Sequence, residues 1–252
     1  MSLPDAVSED AILAGRLVLS QPRRGHRFGH DAILLAAACP AQPGDHVVDL
    51  GAGVGAAGLA LASRVAGLSL TLVEIDPELS ALAQANARQN GLCGRVRTVT
   101  LDATASARPF AQAGLAAGSA MHVLMNPPFR DQVRQQASPD RRRALAHIGS
   151  AAALPAWIAS AARLLRPRGT LTLIWQADGL LEVLASLTKA FGGLSVLPVH
   201  GRAGRGAVRI LVRAVKGSRA PLELLPGLVL NDALGRPTPE AQALLRDGVT
   251  LF

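Results

Sequence analysis

Residues 46–58 read HVVDLGAGVGAAG, and this stretch decides the predicted fold. Its first five residues are mostly apolar and β-branched, which predicts a buried strand. Gly51, Gly53 and Gly55 follow at alternate positions, where glycine permits a tight turn and a close approach of the backbone to a ligand. The Ala- and Leu-rich segment beyond them predicts a helix. A strand, a glycine-rich turn and a helix in this order are typical of a ligand-binding α/β unit.

Outward from this stretch, strand patterns alternate with helical patterns. The clearest helix covers residues 77–90, because Asp76 is a good N-cap, Pro77 a good first residue and Asn90 with Gly91 a good end. Strands are predicted over 46–50, 69–74, 95–101, 121–125, 170–175, 195–200 and 208–215, and further helices over 155–165 and 179–191. We therefore predict an α/β fold with a doubly wound, seven-stranded Rossmann-like sheet.

The predicted sheet divides the chain into three parts. Residues 1–44 form an N-terminal extension with a strand-like segment over 16–20 and an apolar helix over 31–39. Residues 45–216 form the core, and residues 217–252 form a C-terminal tail that ends in a short helix over 239–246. The polar segment 128–150 lacks periodicity and is predicted to be a surface loop.

Composition excludes several classes of protein. Apolar residues make up 49% of the chain, which excludes wholesale disorder, and no apolar run approaches the ~20 residues of a membrane span. The first ten residues carry Asp5, Glu9, Asp10 and no basic residue, so we expect no targeting signal and a cytoplasmic location. Cys39 and Cys93 are expected to be structural, and the sequence shows no metal-binding cluster.

Acidic residues accompany three successive predicted strands. Asp49 is unhelpful beside a pyrophosphate but suits a sulfonium ligand that carries an amino group, and no G-K-[ST] follows to indicate a P-loop. Glu74 can accept both hydroxyls of a ribose, and Asp102 with the Ala103 amide can bind an adenine. Each acid alone could be a helix cap or a solvated loop residue. Because ligands of open α/β sheets bind at these strand ends, the three acids together predict a shared site, to which we add Asp76.

A second site is predicted at Asn126-Pro127-Pro128-Phe129, directly after the fourth strand. The Asn126 side-chain oxygen and the Pro127 carbonyl can each accept one hydrogen of a planar amine, and the prolines stiffen the turn. Phe129 can stack on a base and hold its nitrogen in line with a methyl donor. The tetrapeptide therefore predicts that an exocyclic nitrogen is methylated, with Asn126, Pro127 and Phe129 as the catalytic residues. An ordinary Asn-Pro turn at a strand end is the alternative.

Over about residues 45–200 the chain resembles the class I S-adenosylmethionine-dependent methyltransferases with an N-P-P-[FY] motif. Residues 21–35, with Phe28 and Asp31, and parts of the tail are similar to the bacterial tRNA(Val) adenine-37 N6-methyltransferases. The resemblance implies S-adenosylmethionine as cofactor and adenine N6 of tRNA, at position 37 of the anticodon loop, as target. It also implies that Phe28 and Asp31 border the cofactor and that the N-terminal extension closes its pocket. In the same way it assigns the methionine part of the cofactor to Asp49, Gly51 and Gly53, and places Asn126 at its edge.

Other members of the superfamily remain alternatives. Release-factor glutamine methyltransferases carry a longer N-terminal helical domain than the 44 residues before the first strand, and ribosomal RNA guanine N2-methyltransferases usually carry a second domain. DNA adenine enzymes need a target-recognition domain, which we do not expect here. These differences favour tRNA and leave glutamine and guanine N2 methylation as the alternatives. A non-catalytic RNA-binding protein on the same scaffold is a further alternative. The sequence does not indicate an oligomeric state.

Basic residues suggest a nucleic-acid partner, since the net charge is +8. One set directly follows Phe129 and is predicted to bind RNA phosphates: Arg130, Arg134, Arg141, Arg142 and Arg143. A second set contains Arg202, Arg205, Arg209 and Arg213, and a third contains Arg16, Arg23, Arg24 and Arg27. For the second set, a solvated run of charge is an equally good interpretation.

Overall fold

The structure, a computed structural model, describes residues 7–23, 27–128 and 153–251. Within these ranges a hairpin of β1 (Val7–Ile12) and β2 (Leu17–Pro22) stands apart from a nine-stranded sheet. The strands of that sheet are β3 (His46–Leu50), β4 (Ser69–Glu74), β5 (Val96–Thr100), β6 (Ala120–Met125), β7 (Leu165–Gln176), β8 (Phe191–His200), β9 (Ala207–Lys216), β10 (Glu223–Leu224) and β11 (Leu228–Val229). The helices are α1 (His30–Ala38), α2 (Ala56–Arg64), α3 (Pro77–Gln89), α4 (Ala107–Gln112), α5 (Ala153–Leu164), α6 (Leu180–Leu187) and α7 (Pro239–Gln242).

The sheet has the order β5-β4-β3-β6-β7-β9-β8-β10, and β11 also pairs with β8. Strand β9 is antiparallel to both of its neighbours, and all other pairs are parallel. The prediction of a doubly wound, seven-stranded Rossmann-like sheet is confirmed for β3 to β9. The tail adds β10 and β11 at one edge, and these strands of two residues each are too short to leave a periodic pattern in the sequence.

Each face of the sheet is covered by helices. Buried residues of α1, α2, α3 and the β1–β2 hairpin form one apolar cluster, and those of α4, α5 and α6 form the other. The strands between them are therefore buried on both faces and read as apolar runs. Within the described ranges, none of the helices has the length and apolar character that a membrane span needs.

One predicted helix was too long. Within the segment predicted as a helix over 179–191, only α6 is α-helical; a 3₁₀ turn (Ala177–Gly179) precedes α6, and Phe191 already pairs with Lys216 as the first residue of β8. The backbone of Gly192 lies so close to Ser218 that a Cβ would be 2.3 Å from the Ser218 carbonyl oxygen. Tertiary pairing with β9 and the tail thus ends the helix before residue 191, and Gly192 and Gly193, which follow the predicted helix, are poor helix formers.

The β1–β2 hairpin is fastened to α3 by two asparagines. The buried Asn86 side chain accepts from the Ser20 amide (2.8 Å) and donates to the Ser20 carbonyl (3.0 Å). Asn90 does the same for the Val18 amide (2.9 Å) and carbonyl (2.7 Å). A helix rises about 6 Å over four residues and a strand about 6.7 Å over two, so the two amides match alternate strand residues and imitate a partner strand.

Candidate functional site

The register of the sheet brings the predicted site residues to one edge. Leu50 pairs with Val73 on one side and with Met125 on the other, and Glu74 pairs with Thr100. The carboxyl ends of β5, β4, β3 and β6 are therefore adjacent, in that order. The residues that follow these ends, or close them, are Asp102, Glu74, Gly51 and Asn126. The strands whose ends were predicted to carry the acidic residues, β3, β4 and β5, are therefore neighbours in the sheet.

The glycine loop after β3 is closed on one side and open on the other. The Gly51 and Ala52 amides both donate to the Val73 carbonyl, at 2.8 and 2.9 Å. Gly51 has a φ of +70°, and a Cβ there would lie 2.3 Å from the indole of the buried Trp157 on α5. Gly53 also has a positive φ, +56°, but a Cβ there would meet no atom within 4 Å. Gly53 therefore leaves the loop open toward the strand ends, where a ligand can approach the backbone.

Glu74 ties this loop to the neighbouring strand. One carboxylate oxygen accepts from the Gly53 amide at 2.7 Å and the other from the Asp76 amide at 2.9 Å. Burial raises the pKa of Glu74, and these two N–H bonds act in the opposite direction. Since a carboxylate offers about four lone-pair positions, each oxygen can still accept one more hydrogen bond. The side chain thus can hold the loop and bind a pair of ligand hydroxyls at once.

Asp49 is buried inside the sheet, with 2% of its surface exposed. Its Oδ2 accepts from the Gly58 amide in the first turns of α2 at 2.9 Å. Burial is the main cause that raises its pKa to about 7, the Gly58 bond opposes the rise, and the nearby Glu74 charge adds to it. A cationic ligand group beside this carboxyl would favour its ionised form.

The remaining acids at the edge cap local turns. Asp76 is the N-cap of α3 and accepts from the amides of Glu78 (2.8 Å) and Leu79 (3.3 Å). Asp102 accepts from the amide and the hydroxyl of Thr104, at 2.7 and 2.8 Å. Ala103 between them is buried. The helix-cap interpretation is therefore true for Asp76, whereas Asp102 closes a local turn and caps no helix. A role for either in ligand binding stays a prediction.

The predicted target site lies at the end of β6. Asn126 is half-buried, Pro127 is buried and Pro128 is exposed. Within the described residues, the Asn126 side chain has no hydrogen-bond partner, in contrast to Asp49 and Glu74. Phe129 and the predicted phosphate-binding residues lie outside the described residues: Arg130, Arg134, Arg141, Arg142 and Arg143.

The N-terminal residues predicted to border the cofactor have partners elsewhere. The Phe28 amide donates to the buried Gln21 side chain at 3.1 Å, and the Phe28 ring packs against the core. Asp31, in the first turn of α1, accepts from Arg209 Nε on β9 at 2.9 Å. This ion pair places Asp31 beside the β7 and β9 side of the edge. Contact of Phe28 or Asp31 with a cofactor stays a prediction.

Comparison with known proteins identifies the family. The family model described as the methyltransferase small domain matches residues 27–202. The chain belongs to this family. Together with the solved structure described next, this makes the protein an S-adenosylmethionine-dependent methyltransferase with the corresponding sheet.

Two kinds of relative match the methyltransferase over most of its length. The tRNA1(Val) (adenine(37)-N6)-methyltransferase of Tolumonas auensis is 29% identical, over 90% of this chain and 91% of that protein. The homologue with that name from Porphyromonas gingivalis is 30% identical over 67% of this chain and 66% of its own length. A crystal structure of a predicted O-methyltransferase from Agrobacterium tumefaciens covers 88% of this chain and 98% of its own, with 30% identity and a TM-score of 0.74.

Some parts of the methyltransferase site were not predicted from sequence. Trp157 contacts the glycine loop from α5, and Asn86, Gln21 and Arg209 hold the N-terminal extension in place. A possible signal was the spacing of Asn86 and Asn90, which puts two amides on one helix face. Trp157 carries no such signal, because one apolar side chain of a core helix resembles any other.

Proposed function

We propose that this methyltransferase transfers a methyl group to the N6 atom of an adenine in tRNA, at position 37 of the anticodon loop. The observation that carries the proposal is the position of Asn126-Pro127, directly beside the glycine loop at the end of the neighbouring strand. An amine bound by this turn would face a ligand bound at Gly53.

The residues present fit S-adenosylmethionine. The open space at Gly53 admits a ligand to the loop. The described residues of the loop and of the neighbouring strand ends offer carboxylate acceptors and include no Lys or Arg that could bind a phosphate. We propose that Asp49 and the loop, with Gly51 and Gly53, face the amino-acid part of the cofactor. Glu74 would accept the ribose hydroxyls, and Asp102 with the Ala103 amide, beside Asp76, would bind the adenine.

The target amine would be held by two neutral acceptors. When bound, S-adenosylmethionine supplies a methyl group on a sulfonium, which a nitrogen lone pair can attack in line. The Asn126 Oδ1 and the Pro127 carbonyl would each accept one amine hydrogen, which draws the nitrogen away from planar conjugation. Phe129 would stack on the base. The amine needs no deprotonation beforehand, since its proton leaves after the transfer.

A hydroxyl target fits this turn less well. The Agrobacterium tumefaciens structure bears the name of a predicted O-methyltransferase. A hydroxyl has one hydrogen, and its attack requires a base that removes this proton. Asn126 and Pro127 offer two acceptors, neither of which is a base. Two acceptors match the two hydrogens of an NH₂ group better than the single hydrogen of a hydroxyl, so the turn favours an NH₂ group.

A side-chain amide is the second candidate target, because it also carries an NH₂ group. A release factor glutamine methyltransferase from Chlorobaculum tepidum is 28% identical, but over only 64% of this chain and 55% of that protein. The tRNA relative from Tolumonas auensis matches over 90% of this chain and 91% of its own length, and a match of this extent includes parts of both the N-terminal extension and the tail. We therefore favour tRNA, which also implies a cytoplasmic location, and we propose that the extension closes the cofactor pocket.

The deciding experiment supplies the purified protein with S-adenosylmethionine labelled in its methyl group. Total tRNA and a release factor are offered separately, and digested tRNA is analysed by mass spectrometry. We expect N6-methyladenosine in tRNA and no label in the release factor. Label in a glutamine, or in a guanine, would contradict the proposal and identify the alternative.

A further inference from the structure

The tip of the β8–β9 hairpin, residues 201–206, stands on the same edge of the sheet as Asn126. Strand β8 runs parallel to β7, so its end at His200 points in the same direction as the ends of β6 and β3. Met125 lies level with Leu173, whereas β9 continues past that level to Ala207. Ala207 is five residues from Val212, the partner of Leu173, so the tip begins roughly 17 Å beyond the end of β6 and two to three strands, about 10–15 Å, to its side.

The tip reads Gly-Arg-Ala-Gly-Arg-Gly, and both of its arginines are exposed. Within the described residues neither Arg202 nor Arg205 forms an ion pair. The nearest acidic turn does not neutralise them, because Asp232 accepts from the Leu234 amide and from the amide and guanidinium of Arg236.

The other two arginines of the second basic set, Arg209 and Arg213, have different surroundings. Arg209 is bound to Asp31, and Arg213 is half-buried in the sheet, where burial lowers its pKa. In the sequence, the four arginines form one set of positive charges. The structure separates an inner pair with structural contacts from an outer pair at the tip.

The tail holds the tip in a defined shape. The Ala203 amide donates to the Asn231 carbonyl, and the Asn231 side chain donates to the Gly201 carbonyl, both at 2.8 Å. The Arg202 guanidinium lies against Gly235, where a Cβ would be 2.7 Å from its Nη2. Part of the entropy that an arginine loses on binding a phosphate is therefore already lost in the free protein.

From these observations we propose that Arg202 and Arg205 bind phosphates of the substrate RNA a few nucleotides away from the target base. The inference rests on the proposed function. One base would enter the pocket at Asn126, and the backbone on one side of it would cross the tip. Such contacts would position the RNA without reading its sequence.

The test compares two variants that each lose two positive charges. One is Arg202→Gln with Arg205→Gln. The other is Arg88→Gln with Lys189→Gln, which changes exposed residues at the opposite edge, where α3 ends and β8 begins. Binding of total tRNA is measured by filter binding at several salt concentrations, and S-adenosylmethionine affinity by calorimetry reports on folding.

We expect the tip variant to bind tRNA about tenfold more weakly, with a salt dependence shallower by about 1.5 in the log–log slope. The opposite-edge variant should stay within about twofold of wild type, and both should bind the cofactor normally. Equal losses in the two variants, or an unchanged slope in the tip variant, would contradict the inference alone. A wild-type protein that neither binds nor methylates tRNA would contradict the proposed function and the inference with it.

Discussion

The two halves of the strand-end edge are built differently. In the half proposed to bind the cofactor, at β3 to β5, the side chains of Asp49 and Glu74 are buried. Asp49 accepts from one amide of α2, and Glu74 accepts from an amide of the glycine loop and from the Asp76 amide. In the target half, at β6 and beyond, Asn126 is half-buried and has no partner among the described residues, and the tip arginines are exposed. The proposed cofactor half is thus held in shape by hydrogen bonds within the protein, whereas the proposed target half presents polar groups without such bonds among the described residues.

The largest expected effect tests the target half. Asn126→Ala removes one of two proposed acceptors, and we expect kcat on tRNA to fall about 100-fold, roughly the effect of losing one transition-state hydrogen bond. Cofactor affinity should change little, since Asn126 lies only at the proposed edge of the cofactor and the main proposed contacts come from β3 to β5. Steady-state kinetics with calorimetry measures both. Turnover within severalfold of wild type, with normal cofactor binding, would remove Asn126 from the amine site.

The next effect tests the cofactor half. Glu74→Ala deletes the acceptor for the Gly53 and Asp76 amides as well as the proposed ribose contact. We expect S-adenosylmethionine to bind about 30-fold more weakly, or about 2 kcal/mol, the usual cost of losing a hydrogen bond to a charged group. Glu78→Ala, at an exposed position one turn away, is the matched control and should have little effect. Equal affinities of the two variants would show that Glu74 does not contact the cofactor.

The smallest effect concerns the protonation of Asp49. Its pKa of about 7 in the free protein lies above the ordinary value of 3.8, so burial favours the protonated form. The contribution of the protonated carboxyl to the stability of the folded protein is fully present below about pH 4 and is lost as the pH rises through about 7. A ligand ammonium favours the ionised form, so S-adenosylhomocysteine affinity should rise about tenfold from about pH 6 to about pH 8.

Asp49→Asn is the control for this pH dependence. Its amide oxygen can still accept from Gly58, but the group does not titrate, so its affinity profile should be flat over the same range. Calorimetry at several pH values measures both proteins. A profile that keeps its slope in Asp49→Asn would assign the titration to another group, of which Glu74, with its raised pKa, is the first to examine.

The sequence by itself determined the main strands and helices of the core and the family to which the chain belongs. Strand β3 and the capped start of α3 fall where they were predicted, and the motifs at Asp49, Glu74 and Asn126 identified the family before any contact was known. These features depend on residues within about one helical turn of each other, so a linear pattern contains them.

Only the tertiary structure decided the contacts between segments that are distant in the sequence. It bound Asn86 to Ser20, ended α6 before Phe191, and turned Arg209 inward while Arg202 stayed exposed. Each outcome depends on which strand or helix packs beside the residue. Neighbours that lie tens of residues apart in the chain set the burial and the hydrogen-bond partners, and a local pattern does not specify which neighbours these are.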